Sequence, residues 1–134
     1  MNGERIFKHA GLIANPNCST IIMNVPVWPL HKANRVKRIV VSTYQAVSGA
    51  GAWGLYELEK QQRDFAAGKP IVKEKFPHAI FNNVFSHNTK IAENGYNEEE
   101  NKMVNETRKI FGDPKIGVSA TCVRVPIPRA HSES

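Results

Sequence analysis

The chain has 134 residues, 41% of them hydrophobic, and carries a formal net charge of +6. This length fits one domain and this apolar fraction can supply a core, so the composition predicts a globular chain and excludes a disordered one. The two cysteines, Cys18 and Cys122, offer neither a disulfide framework nor a paired metal-ligand spacing, which favours a reducing compartment and argues against a metal site. No apolar run approaches the roughly 20 residues of a membrane span, and the N-terminus lacks the apolar core of a signal peptide, so no membrane partner is predicted.

The positive charge would suit nucleic acid, an acidic membrane surface or an anionic small ligand. Its densest cluster, residues 31–38, contains four lysines and arginines. It lacks the interleaved aromatic residues that single-strand binders use. We therefore interpret this cluster as a solvated turn before a strand, and predict no nucleic-acid partner.

A polar turn at residues 15–20, Asn-Pro-Asn-Cys-Ser-Thr, follows a possible short buried strand at 12–14 and leads into a helical run. A cysteine at a helix start can be activated, because the unpaired N–H groups and the helix dipole stabilise a thiolate. The alternative is that Cys18 is a small buried apolar residue. Pro26 and Pro29 restrict the helix, which is predicted over 20–25.

Residues 39–44 are β-branched and apolar and predict a strand, with both faces covered because few positions are polar. The small residues of 45–51 predict a strand-to-helix junction, which is either a plain turn or a place where a ligand approaches the backbone. A helix follows over about 50–67, with Gly68 at its C-terminal end. Residues 69–78 predict a basic loop.

The segment 79–85 reads as mixed and extended, and both His78 and His87 as surface or structural histidines. A second helix opens at Asn97, which with Glu100 has the spacing of a capping box. Met103, Val104, Ile110 and Phe111 form its packing face. Another face carries Glu99, Lys102, Glu106 and Lys109, which without further information is a solvated face with salt bridges.

The last predicted strand, residues 116–124, alternates apolar residues at its even positions. The same period brings Arg124 onto the apolar face, where a covered arginine needs an anionic partner. His131 follows seven residues later.

Four stretches of this sequence resemble motifs of the aspartate-semialdehyde dehydrogenase family, in that family's order. They are the cysteine turn 15–20, the junction 42–51, the helix start 94–102 and the pair 124–126 with 129–131. The Arg-Ala-His ending is similar to the branch of the family found in plants and many bacteria. The resemblance spans nearly the whole chain, so it is more specific than any single motif.

The resemblance implies an α+β fold, a mixed β-sheet with helices packed on it. This is the catalytic and dimerisation domain of glyceraldehyde-3-phosphate dehydrogenase-like enzymes, here a fragment covering residues 1–134. It implies that a Rossmann domain for NADP is missing before this segment and further strands after it, so that the segment alone would be inactive. It also implies a homodimer or homotetramer, in the cytoplasm of a bacterium or the plastid of a plant.

By resemblance, Cys18 is the nucleophile, His131 the acid–base group and Gln45 the residue that orients the substrate. Glu99 and Arg124 would hold the substrate's amino and carboxylate groups, and Asn17 and Lys102 would help to bind phosphate. The residues approaching the nicotinamide end of NADP would be Ser48, Gly49, Ala50 and Gly51. The implied reaction is the NADPH-dependent reduction of aspartyl phosphate, through a thioester on the cysteine, to aspartate semialdehyde and phosphate in the biosynthesis of lysine, threonine and methionine.

Three alternatives remain open. A Cys–His hydrolase would need only Cys18 and His131, but it would explain neither the Gly-rich junction nor the pairing of Glu99 with Arg124. N-Acetyl-glutamyl-phosphate reductase also uses an acyl phosphate, although its cysteine usually follows glycine and precedes tyrosine, unlike Asn17-Cys18-Ser19. The third alternative is a non-catalytic dimerisation module.

Overall fold

The fold is taken from a computed structural model that describes residues 1–87 and 89–134. Its helices are α1 (Cys18–Ala33), α2 (Ala52–Ala66) and α3 (Glu98–Phe111), and its strands are β1 (Arg38–Gln45), β2 (Phe85–Ser86), β3 (Gly117–Arg124) and β4 (Ser132–Glu133). The strands form one sheet in the order β2-β3-β1-β4, in which β1 and β3 are parallel and the outer strands antiparallel. This mixed sheet with helices confirms the predicted α+β fold.

One face of the sheet is covered by α1 and α3. Alternate residues of β1, beginning with Ile39 and Val41, point to this face and meet the matching residues of β3 in register. The buried apolar cluster between sheet and helices consists of Met23, Ile39, Val41, Met103, Phe111, Ile116, Ala120 and Cys122. The predicted alternation of β3 is thereby confirmed.

The other face of the two central strands is open, so the prediction that both faces of β1 are covered is wrong for the described residues. Val40 is 65% exposed and Tyr44 is 43% exposed. In β3 the register places Ser119, Thr121 and Val123 beside this row. The apolar composition of β1 therefore does not indicate that helices cover both of its faces, because α1 and α3 pack on the same face.

Helix α1 continues through both of its prolines, although they were predicted to end it. Each proline removes the hydrogen bond to the carbonyl four residues earlier, that of Ile22 for Pro26 and that of Val25 for Pro29. These four residues share one helix face, and all four are exposed. The released carbonyls can bond to water there, while the opposite face is fixed by packing in the core.

Three local expectations are wrong, two because a segment finds no partner strand and one because a side chain packs against the core. Residues 12–14 form no strand, and Leu12 is 82% exposed, because no strand among the described residues pairs with this run. Only Phe85 of the extended segment 79–85 belongs to a strand. In the basic cluster, the ring of His31 packs against Phe111 with 5.0 Å between centroids, so this residue is not part of a solvated turn.

Helix α2 lies close to its predicted bounds and fixes the turn that follows β1. A Cβ on Gly54 would lie 2.5 Å from the carbonyl oxygen of Val47, so only glycine permits this contact between α2 and the 3₁₀ turn Val47–Ala50. A second buried cluster secures the contact and consists of Val47, Leu58, Phe76 and Ile80. Gly68 adopts a left-handed φ of 66° just after the helix, as predicted.

Candidate active site

The candidate site lies at the carboxyl ends of the parallel strands β1 and β3. Gln45 ends β1, Arg124 ends β3, and the two are register partners with side chains on the covered face. Both are almost fully buried, at 1% and 2% exposure. The period-two argument therefore placed Arg124 correctly on the apolar row, and the sheet brings it beside a polar neighbour that sequence spacing does not show.

Cys18 is the first residue of α1, as predicted from its turn. The side chain of Asn17 caps this helix by accepting from the backbone N–H of Thr20 at 3.1 Å. Cys18 itself is exposed, so the alternative of a buried apolar cysteine is wrong. The next residue, Ser19, is fully buried and accepts a hydrogen bond from Gln45 Nε2 at 2.9 Å. The end of β1 is thus tied directly to the cysteine turn.

Glu99 connects the first turn of α3 to the same turn. The capping box of Asn97 and Glu100 is present and fixes the start of the helix. Glu99, at 5% exposure, accepts at Oε1 from Asn17 Nδ2 at 2.7 Å and from Gln45 Nε2 at 3.1 Å. Two turns later, Glu106 accepts from the backbone N–H of Asn17 at 2.8 Å. The two glutamates of this face are therefore directed at the cysteine turn, and the predicted solvated face holds only for the lysines, of which Lys109 is exposed.

The guanidinium of Arg124 is held by the loop after β1. Its Nη1 donates to the carbonyl oxygen of Ala46 at 2.6 Å, and its central carbon lies 5.8 Å from the centroid of the Phe76 ring. Burial lowers the pKa of Arg124, while the charges of Glu99 and Cys18 act to raise it. Arg124 therefore interacts electrostatically with both Glu99 and Cys18.

His131 faces the same loop from the C-terminal side. Its Nδ1 accepts from the backbone N–H of Ala46 at 3.0 Å, so the neutral ring carries its proton on Nε2. Burial and the charge of Arg124 lower the pKa of His131, which favours this neutral form. A Cβ on Gly49 would lie 3.1 Å from both His131 Nε2 and Arg124 Nη1, so glycine lets these two groups pack closely against the turn.

The Gly-rich junction is a 3₁₀ turn followed by Gly51, which starts α2. Its N–H groups are largely engaged within the fold: Ser48 donates to Pro128, Gly49 to Ala46, and Gly51 to Ser48. Ala50 packs against the second buried cluster. The N–H groups of Ser48, Gly49 and Gly51 are therefore not free to bind a ligand, and the groups that lie against Gly49 are the side chains of His131 and Arg124.

Lys102 lies one turn after Glu99 but is directed elsewhere. Its Nζ forms an ion pair with Glu98 at 2.8 Å, and this contact raises the pKa of Lys102. Among the residues that the structure describes, it makes no hydrogen bond to Asn17. The two residues expected to bind phosphate are therefore not brought into contact.

His87 is the site residue that sequence reasoning missed. Its Nε2 lies 2.8 Å from Arg124 Nη2, and its backbone N–H donates to the carbonyl oxygen of Cys122 at 2.9 Å. The contact depends on the pairing of the two-residue strand β2 with the end of β3, which no periodicity in the sequence indicates. His78, the other histidine of this region, contacts the ring of Phe85.

Within 1–87 and 89–134, no group of three or more histidine, cysteine, aspartate and glutamate side chains could hold a metal ion. Of the helices described, none combines the length and apolar character needed to cross a membrane.

Comparison with known proteins gives a consistent result. Residues 27–134 match the family described as "Semialdehyde dehydrogenase, dimerisation domain". The chain is 52% identical to an aspartate-semialdehyde dehydrogenase of Synechocystis sp., with 100% of the chain and 40% of that protein covered. It is 54% identical to the protein of the same name from Aquifex aeolicus, covering 96% of the chain and 38% of that protein.

Among solved structures, aspartate semialdehyde dehydrogenase II of Vibrio cholerae complexed with ASA is similar at a TM-score of 0.92 and 46% identity. The match covers 95% of this chain and 38% of that one. The chain thus spans about 40% of the length of the curated relatives it matches. It belongs to the semialdehyde dehydrogenase family, and its similar relatives are aspartate-semialdehyde dehydrogenases.

Proposed function

We propose that this chain carries the acyl-transfer site of an NADP-dependent aspartate-semialdehyde dehydrogenase. The observation that supports it is the convergence of Gln45, Glu99, Arg124 and His131 around the helix start that holds Cys18. The site holds a cation, Arg124, and an anion, Glu99, which together suit a substrate with both a carboxylate and an ammonium group. An amino-acid acyl phosphate has both, and its acyl carbon is an electrophile for a thiolate.

In the proposed reaction, Cys18 Sγ bonds to the acyl carbon of aspartyl phosphate. The bond from that carbon to the phosphate oxygen breaks, and inorganic phosphate leaves with the electron pair. Arg124 binds the α-carboxylate and Glu99 the α-ammonium group, which places the acyl carbon at the cysteine. Gln45, already bonded to Ser19 and Glu99, fixes the distance between the cysteine turn and these binding groups.

His131 has a defined role in this geometry. Because Ala46 donates to Nδ1, the Nε2–H of the neutral ring is available to the carbonyl oxygen of the acyl group, where negative charge develops. NADPH, when bound, supplies the hydride that reduces the thioester. Gly49 supports this arrangement, since its missing side chain lets His131 and Arg124 pack against the turn after β1. Proton removal in the reverse direction requires the ring to release Ala46 and free Nε2.

The first half-reaction can be tested without NADPH. The 134-residue chain is mixed with aspartyl phosphate, and its mass is measured intact and after digestion. We expect an aspartyl group on Cys18, sensitive to hydroxylamine, with release of one phosphate per chain. Cys122→Ser should behave as the unaltered chain does, and Cys18→Ser should gain nothing. An adduct that persists in Cys18→Ser would contradict the proposal, as would a chain that gains no adduct.

We also propose that two copies associate through the open face of the sheet. The family match to a dimerisation domain supports this, as does the exposure of Val40 and Tyr44 on that face. Sedimentation equilibrium should show a dimer that Val40→Asp dissociates. Val72→Asp, at an exposed valine in the loop after α2, should leave it intact. A monomer at all concentrations would contradict this assignment.

A further inference from the structure

His87 makes a contact with Arg124 that restricts its protonation state. A guanidinium only donates hydrogen bonds, so the Nε2 that lies 2.8 Å from Arg124 Nη2 must be the acceptor. The ring is then neutral, with its proton on Nδ1, and Nδ1 lies 3.5 Å from Thr89 Oγ1. Burial lowers the pKa of His87 most strongly, which agrees with a neutral ring.

Charged groups of two elements face His87. From β3, Arg124 lowers the pKa of the imidazole; from α3, Lys102 lowers it, while Glu98 and Glu99 raise it. Because these charges act in opposite directions, a fall in pH can still protonate the imidazole. Once protonated, His87 would be a cation with a donor at Nε2, directly against the guanidinium, and the contact could not persist.

Two other contacts of Arg124 do not change with pH. They are those with the carbonyl oxygen of Ala46 and with the ring of Phe76. The backbone N–H of His87 donates to the carbonyl oxygen of Cys122, which fixes the main chain from which the imidazole reaches Arg124. Among these partners, His87 is the titratable one.

We propose that His87 is a positioning residue for Arg124: the neutral imidazole aims the guanidinium at the substrate's carboxylate, and protonation of His87 releases it and weakens substrate binding. This rests on the proposed function, in which Arg124 binds that carboxylate. The proposal predicts that affinity for the substrate falls at low pH, and that neither Cys18 nor His131 is the cause of this loss.

The test compares two acyl phosphates on the 134-residue chain. Aspartyl phosphate has the carboxylate that Arg124 would bind, and acetyl phosphate lacks it. The rate of Cys18 acylation is measured against acyl phosphate concentration from about pH 8 to about pH 5.5, for the unaltered chain, for His87→Gln and for His87→Leu. Glutamine presents an acceptor near the position of Nε2 at every pH, and leucine presents none.

For aspartyl phosphate, we expect the half-saturating concentration of the unaltered chain to rise about tenfold as the pH falls by one unit below the titration of His87. In His87→Gln it should stay nearly constant, and in His87→Leu it should be high throughout. Maximal rates, and all values for acetyl phosphate, should not differ among the three chains. A His87→Gln variant that keeps the pH dependence of the unaltered chain overturns the proposal, whether or not His87→Leu folds.

Nitrogen NMR of the imidazole and guanidinium groups separates this proposal from the proposed function. The unaltered chain should show His87 protonated at Nδ1 near neutral pH, with a titration that also shifts the Arg124 side-chain signals. The Arg124 shift should vanish in His87→Gln. If neither acyl phosphate modifies Cys18, the proposed function fails, and these spectra still decide the coupling. A proton on Nε2 of His87 would overturn the proposed coupling. Arg124 signals that do not shift as His87 titrates would also overturn it.

Discussion

Glu57 of α2 and Glu99 of α3 are both buried carboxylates, at 1% and 5% exposure, but they bind different kinds of partner. Glu57 uses both oxygens for a loop. Its Oε1 accepts from Gln61 Nε2 and from the backbone N–H of Glu74, and its Oε2 accepts from those of Lys75 and Phe76. A loop without regular structure is thereby held by one side chain.

Glu99 uses one oxygen only. Its Oε1 accepts from the side chains of Asn17 and Gln45, and within residues 1–87 and 89–134 nothing donates to its Oε2. Acceptor capacity thus remains in the first turn of α3, on a carboxylate that interacts electrostatically with Arg124. A carboxylate saturated by backbone donors stabilises the fold, and one with an open oxygen next to a cation can bind a ligand. Substitution of Glu57 should therefore mainly lower the stability of the fold, whereas substitution of Glu99 should mainly weaken the reaction with substrate.

The largest effect on stability is expected for Glu57→Ala. Removing the acceptor leaves several buried donors unpaired, and we expect a loss of about 4 kcal/mol in the free energy of unfolding. Urea denaturation measures this. Glu59→Ala, at an exposed site on the same helix, should change it by less than about 0.5 kcal/mol. Equal losses would remove the distinction between Glu57 and an ordinary surface glutamate.

The next effect concerns Arg124→Lys. An ammonium cannot reproduce the fork that binds a carboxylate at two points, so we expect acylation by aspartyl phosphate to fall about 100-fold, equal to about 2.7 kcal/mol. Acetyl phosphate should react nearly as before. Arg38→Lys, at the exposed start of β1, serves as the matched control. An unchanged rate constant with aspartyl phosphate would exclude Arg124 as its carboxylate site.

Glu99→Gln should separate binding from stability. The amide oxygen can still accept from Asn17 and Gln45, so the free energy of unfolding should change by less than about 1 kcal/mol. The charge that would attract the α-ammonium group is lost, and acylation by aspartyl phosphate should slow about tenfold. Kinetics and urea denaturation are measured on the same sample. A large loss of stability without a kinetic effect would make Glu99 structural, like Glu57.

Glu133 is a third, half-buried carboxylate, and its expected effect is the smallest. Burial raises its pKa from 4.5 to about 7, although a hydrogen bond with Ser19 acts to lower it. Because the folded chain binds the proton more tightly, the stability it contributes is complete below about pH 4.5 and is lost as the pH rises through about 7. Melting temperatures of Glu133→Gln should lack this decline. An identical decline in the variant would assign it to other groups.

The sequence predicted those features that depend on local pattern. The capping box of Asn97 and Glu100, the left-handed Gly68 and the alternation that leads to Arg124 all follow from residues within one element. The helix start at Cys18 follows in the same way from its turn. The functional roles of these residues come from the resemblance of four motifs, not from any one pattern.

What the sequence did not predict depends on contacts between distant segments. The prolines of α1 are tolerated because their face is exposed, which is decided by what packs on the opposite face. Glu57 binds backbone N–H groups of a loop, and such donors are independent of residue type. His87 reaches Arg124 across 37 positions through a two-residue strand too short to show a period.

The most direct test of the site as a whole compares the two cysteines. Cys18 is exposed at a helix start, whereas Cys122 is buried, with its Sγ 3.5 Å from Met103 Sδ. Burial raises the pKa of the Cys122 thiol to about 12. Limited alkylation of the folded chain near pH 7, followed by peptide mapping, should label Cys18 well before Cys122, and unfolding should abolish the preference. Equal labelling of the folded chain, or faster labelling of Cys122, would mean that the nucleophile is not at the start of α1.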